Sequence, residues 1–389
     1  AEKYLFTSNN DEGLKRITFL LENMEHFEID GQGSRVRGQG GGSPGVLESC
    51  KDIYLHNFSI DWARTFHSEG KILAAAGDSM ELSFSPAYPY RVVNNRLVFY
   101  GENNTIYPYG GLLEFDSAKR ETAYMADDYW TNSDLAAREI SPGHVRIFLR
   151  GIKGTPGNIL TFGAGGRVCS AVTISDSRDI KIDHATIFHC GGMGVVAQRS
   201  GNITLDHIQV TPAAGRMVSA TADATHFANC SGKIIITSCL FENQLDDATN
   251  IHGIYAQVIK KVSPAKLLVA LKHPQQAGFD FLKPGVMVEA VHSNSLISYG
   301  YATVQSAERI NKEYTSVQFR TPLPPGMITG DVIASVADTP FVHIRDCIIR
   351  NNRARGILLG SRGRILIENH LFHNGCAAIL FAGDARHWF

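Results

Sequence analysis

Two phrases in the chain set carboxyl and imidazole groups at a spacing that could do chemistry. Ala222-Asp-Ala-Thr-His226 is followed by Gln244-Leu-Asp-Asp-Ala-Thr-Asn-Ile-His252. Asp223 precedes Asp246 by 23 residues and Asp247 by 24, either of which matches one turn of a strand-built coil. Adjacent strands lie ~4.8 Å apart, so the two Asp-Ala-Thr phrases are expected to stack as neighbours on one face. Three carboxyl groups would then crowd together with His226 and His252 nearby. Like charges that close raise at least one pKa and hold a proton near neutrality. A protonated carboxyl beside ionised ones is the pairing that glycoside hydrolysis needs, an acid for the leaving oxygen and a base for water. The same residues could instead form a corner ladder or hold a calcium ion, and Asp246-Asp247 in a loop suits either. Spacing alone leaves these readings open.

A repeated phrase supplies the elements that would position these groups. It reads as an apolar-alternating strand, a polar residue and a second short strand: Lys51-Asp-Ile-Tyr-Leu-His-Asn-Phe-Ser-Ile60, Arg178-Asp-Ile-Lys-Ile-Asp-His-Ala-Thr-Ile187 and Gly201-Asn-Ile-Thr-Leu-Asp-His-Ile-Gln-Val210. Further copies are Gly232-Lys-Ile-Ile-Ile-Thr-Ser-Cys-Leu-Phe241, Phe341-Val-His-Ile-Arg-Asp-Cys-Ile-Ile349 and Arg364-Ile-Leu-Ile-Glu-Asn-His-Leu-Phe372. No long apolar stripe of helical period is present, and corners such as Asn351-Asn352 separate the runs. The expected fold is all-β: a right-handed parallel β-helix, preferred over an antiparallel sandwich, which explains the regular phrase poorly.

Two stretches interrupt the phrase. Ser79-Met-Glu-Leu-Ser-Phe84 and the Asn94-Asn95 turn read as hairpins in the first, and a second antiparallel-looking stretch runs from about Tyr255 to Ala337, with Pro322-Leu-Pro-Pro-Gly326 late in it. The expected division gives residues 1–69, 163–254 and 339–389 to the helix, the middle part carrying the catalytic coils. Residues 70–162 and 255–338 form two inserted antiparallel β-barrel-like domains.

Composition narrows the function classes. Lys plus Arg (37) nearly balance Asp plus Glu (38), so no bulk field points to nucleic acid. The longest apolar runs are far too short to span a membrane. The seven cysteines are scattered without zinc spacing, and most sit among apolar strand residues, so buried free thiols are expected. Thirty-seven glycines suggest many turns. The chain begins at Ala1 without an apolar signal region, so its compartment is not legible from it.

Longer motifs carry a resemblance. Ser219-Ala-Thr-Ala-Asp-Ala-Thr-His-Phe227 and Phe241-Glu-Asn-Gln-Leu-Asp-Asp-Ala-Thr-Asn-Ile-His-Gly253 resemble the signature of glycoside hydrolase family 110, the exo-acting α-1,3-galactosidases that include enzymes removing the blood group B galactose. Asn57-Phe-Ser-Ile-Asp-Trp62, Phe66-His-Ser-Glu-Gly-Lys71 and Ala377-Ala-Ile-Leu-Phe-Ala-Gly-Asp-Ala-Arg386 extend it over almost the whole chain. The resemblance implies a β-helix with β-barrel inserts, inversion of configuration, no metal and no cofactor. It implies an α-galactosyl glycan substrate and a secreted or periplasmic bacterial setting, and it is compatible with a homodimer. By position, Asp246 would be the general acid, with Asp223 and Asp247 holding or deprotonating the attacking water; this split is borrowed from polygalacturonases. Family members run longer at both ends, so the chain reads as shorter than the full family domain.

Sugar contacts are expected from Trp62 and Trp388 by stacking, and from Asp61, Glu69, Arg216, His226, Asn250 and Asp384 by hydrogen bonding. His252 reads as structural. Two other functions fit less well. A polygalacturonase-like endo-hydrolase would want basic residues gathered near Asp246, and a non-catalytic carbohydrate-binding β-helix would leave the three carboxyl groups unexplained.

Overall fold

The computed structural model describes residues 1–8, 12–383 and 385, so Asp384 and Trp388, both expected at the sugar site, lie outside the described residues. The regular structure of the chain is nearly all strand, with two single-turn 3-10 segments, Glu102–Asn104 and Pro274–Gln276, among the described residues.

The repeated phrase builds two long ladders. A nine-stranded sheet runs in the order Glu2–Phe6, Glu12–Glu22, Ser43–Glu48, Val172–Ser175, Val195–Gln198, Thr225–Ala228, Thr249–His252, Ile357–Gly360 and Ile379–Phe381. Its first pair is antiparallel and every later pair parallel. An eleven-stranded sheet collects the other strands of each copy, also in parallel, from Lys51–Trp62 and Arg178–Ile187 out to Ile365–Glu368 and Leu371–His373.

The polar residue inside each phrase has a backbone reason. Asn57, His184, His207, Ser238, Asp346 and Asn369 occupy equivalent registers, and all have φ between 48 and 56°. That left-handed conformation bends the strand at the same place in each coil, and short polar side chains tolerate it better than most. On the inner side, Ile53, Ile180, Ile203, Ile234 and Val342 stack in register, all buried at 1% exposure or less. The free cysteines follow the same logic: six are buried and Cys376 is exposed.

The two interruptions differ in kind. Strands between Ser68 and Ala164 form an eleven-stranded antiparallel sheet, in which Asn94 and Asn95 (φ 50 and 57°) make the two-residue turn of a hairpin. Its Phe84, Phe99 and Phe162 share one apolar core with Trp62 and the stacked coils. The second, from Tyr255–Ser263 to Val332–Ser335, is a closed six-stranded barrel. It has a largely separate core of Val258, Val269, Val304, Val317 and Phe319.

Close stacking also accounts for single glycines. A Cβ on Gly194 would lie 2.4 Å from the Ala224 carbonyl oxygen of the next coil. Gly194→Ala is therefore expected to lower stability by about 1–3 kcal/mol through overpacking, read as a lower midpoint of thermal unfolding. An unchanged midpoint would mean that the coils can part freely at this point.

Candidate active site

The three carboxyl groups sit at the corner that leads into the nine-stranded sheet. Thr225 pairs with Thr249, and Thr249 with Ile357, which brings Asp223 opposite Asp247 and Asp247 opposite Arg355. Of the two separations in the sequence, the longer one is thus the coil repeat. Backbone bonds fix the corner: Gly194 N–H donates to Asp223 O (2.9 Å), Ala224 N–H to Asp247 O (3.0 Å) and Ala248 N–H to Arg355 O (3.1 Å). One carboxylate oxygen from each of Asp223, Asp246 and Asp247 lies within 4.8 Å of the others. Their exposures differ: the Asp246 side chain is 29% exposed, those of Asp223 and Asp247 3% and 1%.

Each carboxyl group has its own partner. Arg355 grips Asp247 through two bonds, Nε to Oδ1 at 2.7 Å and Nη2 to Oδ2 at 2.9 Å, and the Arg355 backbone N–H adds a third at 3.1 Å. Arg167 Nη2 donates to Asp246 Oδ2 at 2.9 Å, with Arg355 Nη2 at 3.6 Å from the other oxygen. Asp223 Oδ2 lies 2.6 Å from His226 Nδ1, and its Oδ1 accepts the Asp247 N–H at 3.3 Å. Burial is the largest influence on all three carboxyl groups and pushes them up toward neutrality. The neighbouring carboxylates raise Asp246 and Asp247 further, and the guanidinium groups of Arg167 and Arg355 pull in the opposite direction. The cluster titrates as a unit. Three oxygens at this separation would also suit a divalent cation, but two guanidinium groups already compensate the negative charge there.

The remaining expected site residues divide. Arg216 holds Asp61 through two bonds of 2.7 and 2.8 Å, and Arg35 approaches the same carboxylate at 3.4 Å. Glu69 is buried, accepts the Met217 N–H at 2.8 Å, and is pushed by burial to a pKa of about 7. These three residues form a second polar group just ahead of the Asp223 phrase. Asn250 lies opposite His226 in register and is buried.

Two expectations about sugar contacts are corrected. Trp62 is 0% exposed, donates its indole N–H to Gly40 O at 3.0 Å and packs edge-on against Phe66 and His189. It has no open ring face for a sugar. His226 is buried, with one ring nitrogen on Asp223 and the other 2.9 Å from His252 Nε2, so neither nitrogen in this arrangement points to a sugar hydroxyl.

Sequence reasoning read Asn351-Asn352 only as a corner and did not single out Arg167 or Arg355 for the site. Asn352 is buried and donates to Asp246 O (3.3 Å) and Arg355 O (2.7 Å), tying successive coils together at the corner. Arg355 is one coil beyond Asp247 in space but 108 residues away in the chain, because the closed barrel intervenes. Only a register argument carried across that insert, from Thr249 to Ile357, could have found it.

Fold and site together define an all-β protein of stacked parallel strands that gathers three carboxyl groups and two guanidinium groups at one corner. Residues 68–160 match the model of GLAA-B beta-barrel domain I, and residues 266–333 that of GLAA-B beta-barrel domain II. Alpha-1,3-galactosidase A of Shewanella woodyi is 35% identical over 396 residues, covering 99% of this chain and 64% of that protein. Alpha-1,3-galactosidase B of Phocaeicola vulgatus is 31% identical over 408 residues, covering 100% of this chain and 68% of that protein. The chain belongs to the alpha-1,3-galactosidase A/B family, in agreement with the resemblance of its motifs. It spans about 64% of the length of the Shewanella woodyi relative and of alpha-1,3-galactosidase B from Bacteroides thetaiotaomicron, which is 29% identical.

Proposed function

We propose that this chain removes terminal α-1,3-linked galactose from glycans as an inverting exo-glycosidase. The observation that carries the reading is the cluster of Asp223, Asp246 and Asp247, with one partly exposed carboxyl group beside two buried ones. The relatives' printed names supply the linkage. Blood group B glycans and linear Galα1-3Gal ends are both in the proposed substrate class. The two parallel ladders read as faces of a right-handed parallel β-helix, with residues 70–162 and 255–338 as its inserts. A secreted or periplasmic setting and a homodimer go with this reading.

In the proposed reaction, Asp246 gives its proton to the glycosidic oxygen as the C1–O bond breaks. Water adds to C1 from the opposite face and loses a proton to a buried carboxylate. The products are β-galactose and a leaving glycan with a free hydroxyl, and proton exchange with solvent restores the acid. Asp61, Arg216, Glu69 and Asn250 stand as proposed sugar-binding residues, with Asp384 and Trp388 outside the described residues.

The nearest carboxylate oxygens, within 4.8 Å, are closer than the ~6.5–9.5 Å usual for inverting pairs. Inversion is favoured because Asp223 and Asp247 are buried and tied to His226 and Arg355. Neither can bond to an anomeric carbon without leaving its partner, whereas a water held between them and the sugar can. Proton NMR of the first product of an α-1,3-galactosyl disaccharide is expected to show β-galactose. An α-galactose first product would mean retention, and no release from α-1,3, α-1,4 or α-1,6 galactosides would remove the enzymatic reading.

A further inference from the structure

Of the three tryptophans in the chain, Trp62 is buried and Trp388 lies outside the described residues, but Trp130 is 79% exposed. It stands on the short strand Tyr129–Trp130 of the first antiparallel sheet. Tryptophan is highly buried on average, so an open indole on a fixed mount calls for a ligand.

Backbone pairing fixes the mount and the side to which the ring points. Trp130 pairs with Gly111 and Tyr129 with Leu112 in the strand Tyr109–Asp116, and Thr131 N–H donates to Gly110 O at 2.9 Å. Residues directly opposite in a pair share a face, as do alternate residues along a strand. The indole is therefore on the face of Leu113 and Phe115, which pack against Met217, Val218 and Leu245 of the coils. A Cβ on Gly111 would point to the indole, 3.6 Å from its nearest carbon. A Cβ on Gly163 would lie 3.2 Å from Gly111 O and 3.7 Å from the Leu245 side chain. Gly111 is thus close to Leu245, the residue before Asp246.

The segment that leads to Trp130 is tied to one coil after another. Arg120 Nη2 donates to Arg216 O at 3.0 Å, Asn243 Nδ2 to Arg120 O at 2.7 Å, and Glu121 Oε2 lies 2.6 Å from His373 Nε2. Asp128 is paired with Arg353, whose N–H donates to Gln244 O at 3.1 Å. Gln244 and Leu245 precede Asp246, and Arg353 is two residues from Arg355. These ties place the mount of Trp130 on the Asp246 side of the carboxyl cluster.

We propose that Trp130 stacks on a sugar of the leaving glycan and so helps to decide which α-1,3-galactosides are cleaved. This rests on the hydrolytic reading above. In that reading Asp246 protonates the leaving oxygen, so the departing glycan lies on its side, while the terminal galactose faces the two buried carboxyl groups. A pyranose shows C–H bonds on one face and hydroxyls at its rim. A flat indole covers the first and leaves the second free to bond. Tyr124 and Met125 of the same segment are exposed as well, which makes a protein surface the rival occupant. The position beside the acid favours the sugar.

The test uses the whole chain. Stacking is equally strong before and during bond cleavage, so its loss raises KM more than it lowers kcat. Trp130→Ala is expected to lower kcat/KM on the trisaccharide Galα1-3Galβ1-4Glc about tenfold, as removal of a small apolar contact does. It should lose far less on α-galactosyl fluoride, which brings no sugar to the leaving side, and Trp130→Tyr should recover most of the loss. Equal losses on both substrates, or none on either, overturn the proposal. So does a changed oligomeric state of Trp130→Ala by light scattering with kcat/KM intact, which would put the ring in a protein interface. A second arm needs no turnover. Lactose, the sugar that leaves from this trisaccharide, is expected to change the tryptophan emission of the Asp246→Asn protein saturably, and adding Trp130→Ala should abolish the change. A signal that survives Trp130→Ala, or no saturable signal at all, overturns the assignment. Because this arm reads binding alone, it separates failure of the sugar contact from failure of the hydrolytic reading.

Discussion

Asp246→Asn is expected to lower kcat on an α-1,3-galactosyl disaccharide on the order of 10²- to 10⁴-fold while the protein stays folded. This is the usual contribution of a general acid whose leaving group is a poor one. A sugar alkoxide departs slowly without a proton, and Asp246 is the most exposed carboxyl group of the cluster. Asparagine at this position keeps an oxygen for the Arg167 bond, so the corner should hold its shape. A fluoride or dinitrophenyl leaving group needs no protonation, so the variant should lose far less on α-galactosyl fluoride. The pH profile carries the same information. The acid must hold its proton, so wild-type activity falls as pH rises through the range to which burial, and then the neighbouring Asp223, lift Asp246. On the activated substrate the variant should lose this alkaline limb. An equal loss on both substrates would show that Asp246 acts by holding the sugar and not by giving a proton.

The all-β architecture and its parallel ladders were legible because their signals are local and repeat. Each phrase carries its own alternation of apolar residues and its own left-handed corner at Asn57, His184, His207, Ser238, Asp346 or Asn369. Repetition of the phrase therefore suffices to announce the parallel ladders, and the spacing of Asp223 from Asp246 and Asp247 suffices to predict that they meet. What the sequence leaves out is everything that crosses an insert. Arg355 completes the cluster from 108 residues away, and Arg167 comes from 79 residues upstream, just after the first antiparallel sheet. Neither position stands out by composition, since an arginine in a repeat protein is usually a solvated outer residue. Trp62 failed for a different reason. Its place in a motif suggested a sugar platform, but at 0% exposure the ring packs beneath Gly38 and Gly40 as part of the core shared with the first antiparallel sheet. The His226–His252 link was equally hidden. Register puts His226 against Asn250, and only the side-chain directions bring the two rings together.

Arg355→Met is expected to harm both activity and stability, and the two losses should respond differently to pH and to rescue. In the wild type, Asp247 is 1% exposed and depends on Arg355 for two side-chain bonds and one backbone bond. Removing one partner of such a pair costs about 3–5 kcal/mol, and the partial exposure of Arg355, at 32%, argues for the lower end of that range. The sign with pH follows from the Asp247 carboxyl. Burial raises its folded-state pKa above the unfolded value even with Arg355 present, and without the guanidinium it must rise further. A raised carboxyl pKa gives stability that is whole below the unfolded value near ~4 and is lost as pH rises through the folded value. The variant's deficit relative to wild type should therefore be small at pH 5 and widen toward pH 8.5. The buried neutral histidines, His67, His189, His226 and His252, act in the opposite sense as pH falls, but they are common to both proteins and cancel in the difference. Thermal unfolding of both proteins at pH 5, 7 and 8.5 measures the gap, and a gap that narrows with rising pH contradicts the ionised Asp247–Arg355 pair. Arg355→Lys separates charge from geometry. An ammonium group restores much of the alkaline stability but cannot make the two parallel bonds that fix both carboxylate oxygens, so kcat should stay depressed while the midpoint recovers.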